Sequence, residues 1–293
     1  MSTTTTSPGG GDGRPAQDLA DETREGRAER EAPGVQEAGT PAGSEEPERR
    51  RGVLREHARL VVQPLVVLAV LGLYALWLNL TEVSGTAAPL LTPGSVLSLT
   101  GEHLSLTVAA SLVVLVIGIP LGVLLTRPGA RGAAGPVVLV ANFGQAAPAI
   151  GLIVLLAIWL GADFRTAVVS LVAYGVLPVL AGTITGLRGV DQRLVEAGRG
   201  MGMSSAAVLV RVELPLAVPV MLSGVRTALV LVTGTATLAA FINGGGLGEL
   251  ITTGITLDDP LLLASGALLV ALLALLVDWL GRVVEEVARP KGL

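Results

Sequence analysis

Six long, predominantly apolar stretches of this sequence contain no Asp, Glu, Lys or Arg, and their lengths dictate what the chain can fold into. They are Leu60–Thr81 (22 residues), Leu104–Thr126 (23), Gly132–Ala162 (31), Thr166–Leu187 (22), Thr227–Gly248 (22) and Pro260–Val277 (18). A helix needs about 20 apolar residues at ~1.5 Å each to cross ~30 Å of hydrocarbon. Each stretch meets or approaches that length, so the expected fold class is all-α: a polytopic membrane protein with about six transmembrane helices. The 31-residue stretch also contains Pro136, Gly144 and Pro148, and is read as one span, about Val137–Leu160, with a disturbed first half. Gly118 and Gly122 flank Pro120 as a small-xxx-small pair that helix packing explains, with a kink at Pro120 as a smaller addition.

Orientation follows from the basic residues near span ends. If the N-terminal segment is cytoplasmic, that side receives Arg49, Arg50, Arg51, Arg55, Arg59, Arg127, Arg131, Arg188, Arg193, Arg199, Arg211, Arg282, Arg289 and Lys291. The outer side receives only Arg165, beside Glu82, Glu102, Asp163, Glu249, Asp258 and Asp259. By the positive-inside rule both termini are expected in the cytoplasm of a multi-pass cell-membrane protein, which an even number of spans requires.

The formal charge of −4 is concentrated at one end: Met1–Arg55 holds 11 acidic and 8 basic residues, and the remaining 238 hold 13 and 12. Up to about Glu48 the chain is Ser, Thr, Gly, Pro, Ala and charge without apolar periodicity, which predicts a disordered cytoplasmic tail over residues 1–55 rather than a signal peptide. A first helix with its outer loop is expected over 56–103, a membrane core domain over 104–287, and a short tail over 288–293.

Reactive residues are scarce. With no cysteine, two histidines and a single lysine at Lys291, the chain has no thiolate nucleophile, no thiolate metal site and no phosphate-binding P-loop, whose lysine must follow its glycines. No catalytic residue, cofactor, metal or nucleic-acid partner is expected. The glycine-rich run Gly244–Gly248 lacks a following lysine and is read as a tight turn or re-entry where only glycine fits.

The longest inner connection, residues 188–219, is also the least apolar part of the membrane domain. Asp191 is placed to cap a short helix through Arg199, Gly200 and Gly202 to end it, and Ser204 and Ser205 to cap a second helix toward Leu214. Helix, glycine turn and helix make a compact cytoplasmic knob.

At these residues the chain resembles the permease subunits of binding-protein-dependent ABC importers. Their loop reads Glu-Ala-Ala, three residues, Gly, nine residues, then an aliphatic residue, any residue, Leu and Pro. Glu196, Ala197, Gly202, Val212, Leu214 and Pro215 fall in register, with Gly198 in place of the second alanine and Arg199 following. The resemblance extends to the osmoprotectant branch, for glycine betaine, choline and carnitine, through Gly200–Met203, Val212–Val220, Gly224–Ala228, Ala236–Ala240, Gly244–Gly248, Gln145–Pro148, Leu177-Pro178, Thr183 and Gly186-Leu187. It implies a type I, methionine-permease-like fold, and it assigns the loop to docking in a groove of a separate ATPase subunit. It also implies a second permease subunit, identical or paralogous, an extracellular substrate-binding protein, and a surrounding of membrane lipid.

Asn142 and Gln145 are polar amides inside an apolar stretch, so they face protein or a cavity, as pathway residues or as interhelical hydrogen-bonders. Thr233 and Thr237, with Thr235 between them and Pro148 beyond the amides, are the remaining pathway candidates; the threonines also fit plain packing, because they can bond carbonyls of their own helix. The eight aromatic residues are scattered and form no evident cage for a quaternary ammonium ion, which places recognition mainly in the binding protein. Two other readings are an ABC permease for another small solute, such as an amino acid or methionine, and an ion-coupled secondary transporter. The latter predicts acidic residues deep in the spans, and none is present.

Overall fold

The computed structural model describes residues 45–288 apart from Glu82, Ser84 and Thr86, with side chains from Leu60 onward. Residues 1–44 of the expected tail and 289–293 of the C-terminal tail lie outside the described residues. Nine principal helices follow: α1 Glu45–Leu80, α2 Pro93–Thr126, α3 Ala134–Ala146, α4 Ala149–Leu160, α5 Phe164–Arg188, α6 Gln192–Gly200, α7 Leu214–Thr235, α8 Gly248–Thr256 and α9 Pro260–Ala288. No strand occurs among the described residues.

Five helical segments are long and apolar enough to span a membrane, and a sixth span exists if α3 and α4 are taken together across their 98° bend. Where a single disturbed span is expected, the chain forms two helices that meet at 98°. Pro148 is the reason: it lacks an N–H, restricts Ala147 to extended backbone, and opens α4 as its N-cap.

Several helix ends depart from the charge-free stretches, and two of these departures, at the starts of α2 and α7, bring charged residues into the helix. α2 starts at Pro93, capped by Thr92, whose hydroxyl oxygen accepts from the Ser95 N–H at 3.2 Å, so the helix already includes Glu102 and His103. α7 starts at Leu214, which places Arg226, just before the charge-free stretch Thr227–Gly248, well inside the helix.

α5 is the centre, with 56% of its apolar window buried against 11% for α1, and it packs most extensively on α2 and α7. Small residues make this contact close. A Cβ on Gly122 would stand 2.6 Å from Thr183 Cβ, one on Gly118 2.9 Å from Val179 Cγ1, and one on Gly224 2.6 Å from the Pro178 carbonyl oxygen. In a bilayer, where no hydrophobic force separates helix from lipid, such backbone approach is the main attraction between helices. α2 runs unbroken through Pro120.

α1 lies on α9. Gln63 Nε2 donates to the Leu275 carbonyl at 2.9 Å and to Asp278 Oδ2 at 3.2 Å, and Trp279 Nε1 donates to the Leu60 carbonyl at 2.7 Å. Arg226 of α7 reaches Asp278 and Glu285 of α9, both at 3.5 Å, while Arg282 holds Asp278 from one turn away at 2.9 Å. Asp278 thus serves both arginines.

Candidate functional site

The loop after α5 is built almost entirely from local signals. Asp191 Oδ1 accepts from the Arg193 N–H at 2.9 Å and caps α6. The helix closes with the Met203 N–H on the Gly198 carbonyl at 3.1 Å and the Gly202 N–H on the Arg199 carbonyl at 2.9 Å. That closure needs a left-handed residue, and Gly202 supplies it with φ +84°. Ser204 Oγ then accepts from the Ala207 N–H and starts the next turn, Ser205–Val208.

A five-residue π segment, Leu209–Glu213, joins that turn to α7, and the Leu214 N–H bonds back to the Leu209 carbonyl. Pro215 follows directly and has no N–H with which to continue an i→i−4 ladder.

The knob has two faces. Val195, Gly198 and Val208 are buried, joined by the partly buried Met203 and Val212. Glu196, Ala197, Arg199, Gly200 and Gly202 are exposed, flanked by the exposed apolar side chains Leu194 and Met201. Leu214 is half-buried and Pro215 exposed at the base of the knob.

One ion pair anchors the knob to the spans. Glu213, 7% exposed, accepts from Arg127 at the C-terminal cap of α2, and Arg127 also donates to Thr126 Oγ1. Sequence reasoning placed both residues on the same side of the membrane but did not pair them. Their opposite charge, each close to a span end, is the signal that could have done so.

The pathway candidates divide into two groups. Asn142, Gln145 and Pro148 belong to the broken helix: Asn142 and Pro148 are exposed, and Gln145 is half-buried. Gln145 Nε2 donates to the Tyr174 carbonyl at 3.5 Å. Pro178, four residues on in α5, cannot donate to that carbonyl, so the amide takes a vacancy that the proline created. Tyr174 answers with its hydroxyl, which donates to the Ala147 carbonyl at the break.

Thr233 and Thr237 lie elsewhere. Thr233 is fully buried, its hydroxyl donates to the Leu229 carbonyl at 2.7 Å, and its own carbonyl meets His103 Nε2 at 2.9 Å. Thr237 Oγ1 donates to the Gly234 carbonyl at 2.8 Å. The residue of this group nearest the break is Thr235, which lines a small cavity with Ala149, Ser170 and Tyr174. Tyr174 is the residue sequence reasoning missed, and the only local hint was Pro178 four positions later.

On the opposite side, α7 continues as a 3-10 segment, Ala236–Ile242, and the glycine run turns the chain into α8. Gly246, with φ +89°, lies so close to α2 that a Cβ would stand 3.1 Å from His103 Cα, and its N–H donates to Glu102 Oε2 at 3.0 Å. The run is a tight turn against a neighbouring helix. Among the described residues, no group of three His, Asp or Glu side chains could hold a metal ion.

The family model described as "Binding-protein-dependent transport system inner membrane component" matches residues 118–289. The chain belongs to that family.

Several relatives of this permease are known by function. It is 40% identical over 200 residues to the glycine betaine/carnitine/choline transport system permease protein OpuCB of Bacillus subtilis (strain 168), covering 68% of this chain and 91% of the relative. It is 39% identical to the choline transport system permease protein OpuBB of the same organism, with the same coverage. The osmoprotectant import permease protein OsmY of Salmonella typhimurium is 37% identical over 222 residues, 74% of this chain and 92% of OsmY. Among solved structures, the inward-facing MetNI methionine ABC transporter shares the permease's fold, with a TM-score of 0.58 at 22% identity, over 66% of this chain and 95% of that one. The type I permease fold expected from the sequence is thus the observed one. The protein is a multi-pass inner-membrane permease.

Proposed function

We propose that this permease is the conduit of an ATP-driven importer of osmoprotectants such as glycine betaine, choline or carnitine. It works with a separate ABC ATPase, a second permease subunit and an extracellular binding protein, and both of its termini are cytoplasmic. The observation that carries the reading is the knob: Glu196, Ala197 and Gly202 are presented outward on a capped helix with exposed Leu194 and Met201 beside them, while Val195 and Gly198 lock its inner face. An exposed surface of this kind suits a groove in a partner subunit. The substrate class rests on the named functions of the relatives.

The mechanism is alternating access. Closure of two ATPase subunits on ATP moves the knob, and through the Glu213–Arg127 pair and the continuous run into α7 it rocks the spans between two packings, which is a population shift. Asn142 supports a pathway or a second permease at the broken helix. Its exposed amide stands among the exposed apolar side chains of Leu139, Val140 and Phe143, and such a group is costly against lipid. Gln145, Pro148, Thr233 and Thr237 complete the candidate pathway.

The test is uptake of labelled glycine betaine into vesicles carrying the reconstituted importer, with ATP hydrolysis followed in parallel. Glu196→Lys, or Gly202 replaced by a bulky residue, is expected to abolish uptake while ATP hydrolysis persists. Normal uptake by these variants with the ATPase bound refutes the coupling role. Uptake of methionine or another amino acid in place of glycine betaine refutes the substrate class alone.

A further inference from the structure

Between the cytoplasmic ends of α2 and α5 and the inner side of α6 lies a cavity of about 380 Å³. Its lining includes Arg127, Arg131, Arg188 and Arg199, with Glu213 as the only acid and Gln192 as a further donor. We propose that this cavity binds a phosphate group, a monoester or diester, and so ties the knob to the ends of two spans.

The charge balance is the first argument. Glu213 is already neutralised by Arg127, so the other three guanidiniums face the cavity without a compensating acid in its lining. Arg131 uses only its Nε, which donates to the Thr126 carbonyl at 2.9 Å, and this leaves both terminal nitrogens free. Arg188 and Arg199 make no hydrogen bond or ion pair with a described residue. Span-end arginines alone would account for the sign of this charge, but not for the convergence of these three from two helices and a loop on one concavity.

Size and position are the second argument. The volume lies within the ~300–1,000 Å³ range of small-ligand sites. Guanidiniums are the side chains best matched to phosphate, because their planar fork donates two parallel hydrogen bonds. The mouth lies where α2 ends at Thr126 and α5 at Arg188, the level at which spans leave the hydrocarbon. A lipid phosphate and a soluble phosphate can therefore both reach it. A phosphate there bridges Arg131 of the α2–α3 loop, Arg188 of α5 and Arg199 of α6, and restrains the knob whose motion the transport cycle uses.

The proposal is tested on the full chain in two arms, each comparing wild type with Arg188→Gln, Arg131→Gln/Arg188→Gln, Arg188→Lys and Arg193→Gln, the last lying outside the cavity. In one arm the protein is extracted from vesicles of phosphatidylglycerol or phosphatidylcholine, and retained lipid is read by native mass spectrometry. In the other, thermal unfolding is followed as inorganic phosphate replaces chloride at matched ionic strength.

Selective retention of phosphatidylglycerol identifies a lipid source, and stabilisation by phosphate a soluble one. In either case the apparent affinity falls about tenfold in Arg188→Gln, the loss of one charge-assisted contact, falls further in the double variant, falls less in Arg188→Lys, which keeps the charge without the fork, and is preserved in Arg193→Gln. Arg188 is exposed at a helix end, so its single variant still decides the matter if the double variant does not fold. Wild type that responds in neither arm, or an equal loss in Arg193→Gln, overturns the proposal.

Discussion

Gly198 departs from the alanine of the loop pattern, and the structure says what restoring it does. The residue sits in the last turn of α6 with helical backbone, so a methyl group adds no strain. The added Cβ would meet Val208 Cγ2 at 3.4 Å, Met203 Sδ at 3.6 Å and Val212 Cγ2 at 3.7 Å, all ordinary van der Waals contact on the buried face of the knob. Glycine in a helix interior costs about 1 kcal/mol relative to alanine, and a methyl group fully withdrawn from water contributes ~0.8 kcal/mol. Gly198→Ala is therefore expected to stabilise the closed knob by about 1–2 kcal/mol, a factor of roughly 5–30 in its opening equilibrium.

Amide hydrogen exchange over Arg193–Met203, followed by mass spectrometry, reads that factor as slower exchange. The same substitution four residues on carries the opposite sign. Gly202 has φ +84°, where a Cβ costs about 1–2 kcal/mol, so Gly202→Ala speeds exchange over the same segment by a comparable factor. A general benefit of alanine in loops predicts two changes of one sign. Unchanged or faster exchange in Gly198→Ala would show that the inner face of the knob is not packed as described, and would refute the reasoning.

Tyr174→Phe removes the hydroxyl that satisfies the Ala147 carbonyl at the helix break, and is expected to cost about 1 kcal/mol, seen as faster exchange at the start of α4; equal exchange in the two proteins would mean that Pro148 alone holds the bend. Arg226→Met leaves Glu285 without its arginine and Asp278 with Arg282 and the Gln63 amide. Because these groups are partly exposed, the loss is about 1–2 kcal/mol rather than the larger cost of a fully buried pair, and adding Glu285→Gln recovers part of it in thermal unfolding. Glu249 is held above the usual carboxylate range, first by desolvation and then by the charge of Glu102. A carboxyl raised in the folded state contributes stability that is full below its ordinary pKa of 4.5 and lost as pH rises through the folded value. Glu249→Gln should therefore flatten the decline in melting temperature above pH 4.5, and an unchanged slope refutes the assignment.

The spans were legible because hydrocarbon imposes a rule on each residue separately: a charge inside it is costly, so its absence over about 20 positions is visible without knowing any neighbour. The ends of the spans were less legible because a charge can enter a helix once something distant meets it. Glu102 lies inside α2 with the Gly246 N–H, 144 residues away, as its donor. Arg226 lies inside α7 because α9 supplies Asp278 and Glu285. Charge counting assigns such residues to loops, since their partners are set by packing.

The knob and the broken helix separate the same two kinds of information. Every element that shapes the knob acts within a few residues: Asp191 on Arg193, Gly202 on the closing turn, Ser204 on Ala207. Its form could be read directly, although the sequence named Gly200 and Gly202 together and only the backbone shows that Gly202 is the left-handed one. The break at Pro148 was visible as a proline, but its 98° bend depends on Tyr174 of α5 reaching the Ala147 carbonyl, and on Pro178 freeing the carbonyl that Gln145 takes from 29 residues away in sequence. A proline announces that a carbonyl has lost its partner; only the packed fold decides which group replaces it. The knob is thus specified locally, whereas the bend between α3 and α4 is specified by pairs of groups far apart in sequence, so its angle depends on how the helices around it are packed.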